Sequence, residues 1–191
     1  MAIEIELKFA AEVSAFEQLL AEANDWTRYE MATTYYDTPD AKLGALHWTL
    51  RRRFENGVSV CTVKTPHKGG GRNEFELECD DINVAIPKLV EMGAPRELLA
   101  YTAEGVEEVC AARFTRMAGK ITLPGAEAEL ALDKGELLGG GNVLPFVEVE
   151  VELKSGDLEA VVAYGEQLAK KFNLRPEPKS KYKRALTLAG K

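Results

Sequence analysis

The chain has 191 residues, 46% hydrophobic and 29% charged, with 24 basic against 31 acidic groups and a net charge of −7. This balance excludes wholesale disorder, and a pI near 5.1 argues against indiscriminate binding to nucleic acid or anionic membrane. One domain over residues 1–191, with a sizeable core, is the expectation for this length.

At the N-terminus, Met1-Ala2-Ile3-Glu4-Ile5-Glu6 places acids where a signal peptide needs an apolar core. No apolar run approaches the ~18 residues of a membrane span, so a cytoplasmic protein is expected. Residues 3–9 alternate apolar and polar side chains, which predicts a strand. Ser14 and Glu17 fit a capping box, followed by Phe16, Leu19, Leu20 and Ala23 on one helical face. Period-two alternation then predicts strands over 33–36, 48–54, 58–65, 72–79, 114–123, 126–133 and 146–153. A last extended stretch is expected over 180–188. Weaker helical patterns fall at 84–92, 95–101 and 103–111. A clearer one at 157–172 has Asp157 as N-cap and a stripe of Leu158, Val161, Val162, Leu168, Ala169 and Phe172. Three widely spaced cysteines (Cys61, Cys79, Cys110) and two histidines (His47, His67) suggest neither a disulfide framework nor a thiolate or imidazole metal site.

The charge is unevenly laid out. Residues 1–50 hold 3 basic and 9 acidic groups, and 73–173 hold 9 and 20. Residues 51–72 hold 6 basic and 1 acidic group, as do 174–191. Within strands the signs are sorted by face, since residues i and i+2 project together. Glu4, Glu6 and Lys8 share a face, as do Arg51 and Arg53, Thr62 and Lys64, Arg72, Glu74, Glu76 and Glu78, Glu127, Glu129 and Asp133, and Glu148, Glu150 and Glu152. A curved or closed sheet with these faces inward makes a polar tunnel. Buried charge is costly unless paired, so such a lumen sets acids against bases and suits a ligand carrying both signs. A metal–polyphosphate complex is one: carboxylates take hard divalent cations, and Arg and Lys take phosphate oxygens.

Nine elements in chain order carry a family resemblance: Glu4-x-Glu6-x-Lys8, Tyr35-Tyr36-Asp37-Thr38-Pro39, Leu50-Arg51-x-Arg53, Thr62-x-Lys64, Arg72-x-Glu74, Phe114-x-Arg116, Leu132-Asp133-x-Gly135-Glu136, Glu148-x-Glu150-x-Glu152 and Ser180-Lys181-x-x-Arg184. Together they span nearly the whole chain and resemble the CYTH domain, or triphosphate tunnel metalloenzymes. The likeness is strongest to the bacterial inorganic triphosphatase branch.

The resemblance implies an α+β fold, an eight-stranded antiparallel barrel forming a tunnel, with helices packed outside. It implies that Glu4, Glu6, Glu148 and Glu150, helped by Glu129 and Asp133, hold Mg²⁺ or Mn²⁺. Lys8, Arg51, Arg53, Lys64, Arg72, Arg116, Lys181 and Arg184 then bind phosphates. Lys8, Glu74 and Tyr35 form the catalytic set, with Tyr35 where some family members place a proton-accepting tyrosine. The implied activity is hydrolysis of inorganic triphosphate to pyrophosphate and phosphate. The implied partner is that ion or another triphosphate-bearing small molecule, with no nucleic acid or membrane, in a monomer or homodimer. Class IV adenylate cyclase, thiamine or nucleoside triphosphatase, and a non-catalytic polyphosphate-binding module are the alternatives. The cyclases usually carry a His-Phe element, and this chain has no His-Phe dipeptide. Arg52 departs from the family's apolar residue between the paired arginines and is expected outside. Some relatives in this branch continue into a helical CHAD domain about where this chain ends.

Overall fold

Ten strands form one antiparallel sheet accompanied by six helices, in a computed structural model describing residues 2–22 and 25–190, the first three of them as backbone. The elements are β1 (Ala2–Glu4), β2 (Glu6–Ala10), α1 (Val13–Glu22), β3 (Thr27–Asp37), α2 (Lys42–Ala45), β4 (Thr49–Glu55), β5 (Val58–Pro66) and β6 (Arg72–Glu78). Then come α3 (Ile82–Glu91), α4 (Glu97–Tyr101), β7 (Glu107–Leu123), β8 (Ala126–Gly139), β9 (Asn142–Gly156), α5 (Leu158–Phe172), β10 (Arg175–Pro176) and α6 (Lys181–Leu188).

The strand order is β1-β6-β5-β4-β3-β7-β8-β9-β2-β10. Its two ends are held by one N-terminal run: β1 pairs with β6, and β2 pairs with β9. Between them the Ile5 carbonyl accepts from the Leu153 N–H at 2.9 Å. The ring therefore closes through the covalent chain at Ile5, not through an unbroken ladder. With the bent run counted as one strand and the two-residue β10 set aside, eight strands surround the lumen, as expected. Tight hairpins set the register. Glu55 faces Val58 across an Asn56-Gly57 turn with both φ positive (45° and 98°), the turn chemistry that matches strand twist.

The apolar halves of the alternating strands face outward onto helices. On one side α1 and α5 cover β2, β8 and β9, packing Phe16, Leu19, Val161, Leu168 and Phe172 on Phe9, Leu130, Leu132, Val149 and Val151. On the other, α2, α3 and α4 cover β4 to β6 through Leu43, Ile82, Ile86, Leu89 and Leu98 on Leu50, Cys61, Val63 and Phe75. Each such side chain contributes about 1.5–3 kcal/mol. Asp157 caps α5, accepting from the Glu159 N–H. Arg52 lies outside, donating to the Asp80 carbonyl at 2.9 Å. No helix among the described residues is long and apolar enough to cross a membrane.

Two local expectations are corrected. Residues 103–111 are not helical: Gly105 turns the chain at φ 94°, and β7 starts at Glu107 to pair with β3. Residues 180–188 are not extended: they form α6, capped by the Ser180 hydroxyl accepting from the Lys183 N–H. Lys, Arg, Ala and Leu are good helix formers, and the alternation of Lys179, Lys181 and Lys183 is too short to outweigh them. Unlike the other helices, α6 lies on the inner face of β7–β9, with Ala185 among Ala112, Phe114, Leu137 and Phe146. Gly139 permits this approach, since a Cβ there would sit 2.2 Å from the Ala185 carbonyl oxygen.

Candidate functional site

The inward halves of the strands line a cavity of about 1400 Å³. Its walls differ in sign because each strand contributes one alternating set. Rows run across the sheet: Glu6 faces Glu152, which faces Glu129, and Lys8 faces Glu150. Glu148 faces Asp133, which faces Arg116. On the opposite wall Arg51 faces Tyr35 on one side and Thr62 on the other, and Lys64 faces Glu74.

The acidic wall divides into two groups. Asp133 and Glu148 are 0% exposed, and Glu150 is buried with them. Their carboxylate oxygens lie within 4.8 Å of one another. Like charges this close need compensation, and three bases supply it. Arg116 grips Asp133 with two 2.8 Å hydrogen bonds and also bonds Glu150. Lys181 reaches Asp133 at 2.8 Å and Glu150 at 2.7 Å, and donates to Glu148. Arg184 donates to Glu148 as well. Helix α6 thus delivers both predicted C-terminal bases, because Lys181 and Arg184 at i and i+3 share a helical face.

Burial pushes the Glu148 carboxyl up to about 7, with Glu150 adding to the rise and Lys181 opposing it. Burial also acts upward on Glu150, but Lys181 and Arg116 outweigh it and hold that carboxyl well below the ordinary range. For Lys181, burial disfavours the ammonium, but Asp133, Glu150 and Glu148 more than offset this, and its pKa is raised.

The second acidic group faces open cavity. The side chains of Glu6, Glu129 and Glu152 keep about a quarter of their surface, at 27%, 28% and 27%. Lys154 sits between the last two, 2.8 Å from Glu152 and 3.7 Å from Glu129. Lys8 lies 3.2 Å from Glu6. The side chain of Glu4 lies outside the described residues; its backbone pairs with Arg72.

The basic wall is less well compensated. Glu74 lies 3.3 Å from both Arg51 and Lys64, and Glu55 lies 2.9 Å from Arg53. The Nε atoms of Arg51, Arg53 and Arg184 are buried with no hydrogen-bond partner among the described residues. Burial, then the neighbouring charges of Arg51 and Arg116, pull the Arg53 pKa down. Arg72 donates to the His47 carbonyl at 2.8 Å and the Thr49 hydroxyl at 3.0 Å, tying the rim to the wall. Tyr35 is buried against Tyr182, ring centroids 5.2 Å apart, and desolvation raises its phenol. Asp37 ties the rim to α6, accepting from the Leu43 and Gly44 N–H groups at 2.9 Å and from the Tyr182 hydroxyl at 3.4 Å.

Except for Glu4, the residues that the resemblance assigns to metal, phosphate or catalysis line the cavity or, for Asp133, Glu148 and Arg184, sit in the ion-pair cluster behind its wall. Glu55 and Lys154, which were not singled out, and Glu152, placed on the acidic face but assigned no role, line the same cavity. Their parity was available: Glu55 continues Arg51 and Arg53, and Glu152 and Lys154 continue Glu148 and Glu150, at steps of two.

The sheet thus encloses a lumen in which carboxylates face guanidinium and ammonium groups, with α6 inside and the other helices outside. The chain belongs to the CYTH domain family, whose model matches residues 2–186. It is 26% identical over 195 residues to the inorganic triphosphatase of Haemophilus influenzae, a match covering 98% of this chain. The chain spans about half of that relative's length, 55%. Among solved structures it is similar to HpAC1 from Hippeastrum, described as having a dominant triphosphatase activity, at 22% identity and a TM-score of 0.70, covering 100% of this chain and 97% of that one. It is also similar to PH1819 from Pyrococcus horikoshii OT3, at 24% identity and a TM-score of 0.63, covering 98% and 99%. At these identities the structural likeness is one of fold.

Proposed function

We propose that this chain hydrolyses inorganic triphosphate to pyrophosphate and phosphate inside the barrel, using Mg²⁺ or Mn²⁺. The observation carrying this reading is the pair of buried guanidinium Nε atoms on Arg51 and Arg53 that lack acceptors among the described residues. An unsatisfied buried donor beside further cations is costly, and phosphate oxygens are the acceptors that would satisfy it.

The carboxylate wall fits a hard divalent cation, because Glu6, Glu129 and Glu152 present partly open oxygen donors to the cavity beside the buried acidic cluster. Glu6, Glu129 and Glu150 line the cavity and would hold the ion, with Glu4 from the same run and Asp133 and Glu148 behind. When bound, such a cation neutralises charge on the phosphate oxygens and lowers the pKa of water. The chain's own bases do the rest. Arg51, Arg53, Lys64 and Arg116 stabilise charge gathering on the leaving pyrophosphate, the main demand of phosphoryl transfer. Lys8, between Glu6 and Glu150, binds phosphate where the two walls meet. Arg72, Lys181 and Arg184 extend the basic lining toward the rim and α6. Glu74 acts through Arg51 and Lys64, which it holds at 3.3 Å. Tyr35, its phenol raised by burial, keeps its proton at neutral pH, so we assign it a donor's role and not that of proton acceptor.

The test is phosphate release from triphosphate, ATP and thiamine triphosphate, each with Mg²⁺, Mn²⁺ or EDTA. A strong preference for bare triphosphate with either metal is expected. Cyclic AMP from ATP would make the chain a cyclase. Binding without turnover under every condition would make it a binding module.

A further inference from the structure

Two hydroxyls stand beside the orphaned guanidiniums. Thr33 on β3 pairs in register with Arg53, and Thr62 on β5 pairs with Arg51. They are 2% and 1% exposed, and neither Oγ1 has a partner among the described residues. They differ in one respect: Thr33 lines the cavity together with Arg51 and Arg53, and Thr62 is not part of that lining.

The neighbourhood of Thr33 explains why its hydroxyl has no acceptor. A strand gives it no carbonyl one helical turn back, and the backbone around it is engaged in ladders to β4 and β7. Arg53 donates and cannot accept. Its other register partner is Ala112, and residues 31 and 35 flank it on the same face. The patch is rich in donors and poor in acceptors, which suits an oxyanion presenting several oxygens at once.

We propose that Thr33 is a substrate-binding residue whose hydroxyl donates to the same phosphoryl group that Arg53 holds. This rests on the triphosphate reading above. The hydroxyl adds a short, neutral, directional donor to a wall of long charged ones, and fixes where one phosphate sits along β3 and β4.

Calorimetric binding of inorganic triphosphate in EDTA, with melting of the ligand-free chain, tests the assignment. Thr33→Val keeps the shape and removes the hydroxyl. It should weaken triphosphate binding about 10- to 100-fold, the range for a lost hydrogen bond to a charged group. The melting temperature of the free chain should stay level or rise, since an unsatisfied buried polar group is gone. Thr33→Ser should bind within about threefold of wild type, and so should Thr62→Val. Thr33→Val binding like wild type would overturn the assignment. Equal weakening by Thr33→Val, Thr33→Ser and Thr62→Val would also overturn it, marking a general loosening. If folded wild type binds no triphosphate in EDTA, the same comparison is read in KM for Mg²⁺-dependent phosphate release; absence of release as well makes the triphosphate reading fail and takes this assignment with it.

Discussion

Lys181 on α6 places its ammonium 2.8 Å from Oδ2 of Asp133 on β8, with Asp133 fully buried. The pair joins the C-terminal helix to the barrel wall and belongs to a buried cluster of three acids and three bases. Removing one member of a buried ionic cluster leaves the others uncompensated. Lys181→Met should therefore cost about 3–5 kcal/mol of stability, read from urea denaturation. A loss under about 1 kcal/mol would mean that Lys181 does not carry this role in solution.

The two acidic groups should respond differently to truncation. Glu6 keeps about a quarter of its side-chain surface, at 27%, so Glu6→Ala should melt near wild type while losing Mg²⁺-dependent phosphate release. Glu148 is buried under Lys181 and Arg184. Glu148→Ala should lose both stability and activity. Near-normal activity in both variants would remove the carboxylate wall from the reaction.

Arg53 is the most directly testable of the basic residues, because among the described residues Glu55 is its one ion-pair partner, beside an unsatisfied Nε. Arg53→Met should lower kcat/KM for triphosphate by about 10²–10³, the scale for one lost electrostatic donor. Its melting temperature should hold, since crowding by Arg51 and Arg116 is relieved. A rate within a factor of about three of wild type would exclude Arg53 from charge stabilisation.

Cys61 supplies a pH prediction away from the cavity. It is 0% exposed, and burial pushes its thiol up to about 12. The reactive thiolate is then roughly one part in ten thousand at pH 8, rising tenfold per pH unit. Peptide mapping after iodoacetamide at pH 8 should find Cys61 unmodified in the folded chain and modified in urea. Alkylation of folded Cys61 at the unfolded rate would contradict its placement under α3.

Much of this was legible because alternation is a property of sequence. Glu148, Glu150 and Glu152 had to share a face, as did Arg51 and Arg53, and opposite faces had to be apolar. The route by which Lys181 and Arg184 reach the lumen was not legible. Their basic residues suggested a strand, whereas their i, i+3 spacing serves a helix that enters where Gly139 leaves room. Nor could spacing say which acids are neutralised. Glu148 and Glu6 read alike as members of acidic alternations, yet one is sealed by two bases and the other faces open cavity. That difference depends on α6, whose docking is a tertiary event. The 103–111 segment failed for a related reason: its weak helical periodicity was overridden by pairing with β3.

The bent N-terminal run also has a consequence for synthesis. Glu6 finds its partner at Glu152, and Ala10 finds its own at Glu148. On a ribosome the first strand emerges long before the ninth, and loop closure over such a separation is slow. The nascent chain must keep β2 unpaired, with its apolar Leu7 and Phe9 incompletely covered, until β9 has been made. Two neighbouring pieces of one run are thus zipped at different times: β1 can pair once β6 is made, and β2 must wait for β9.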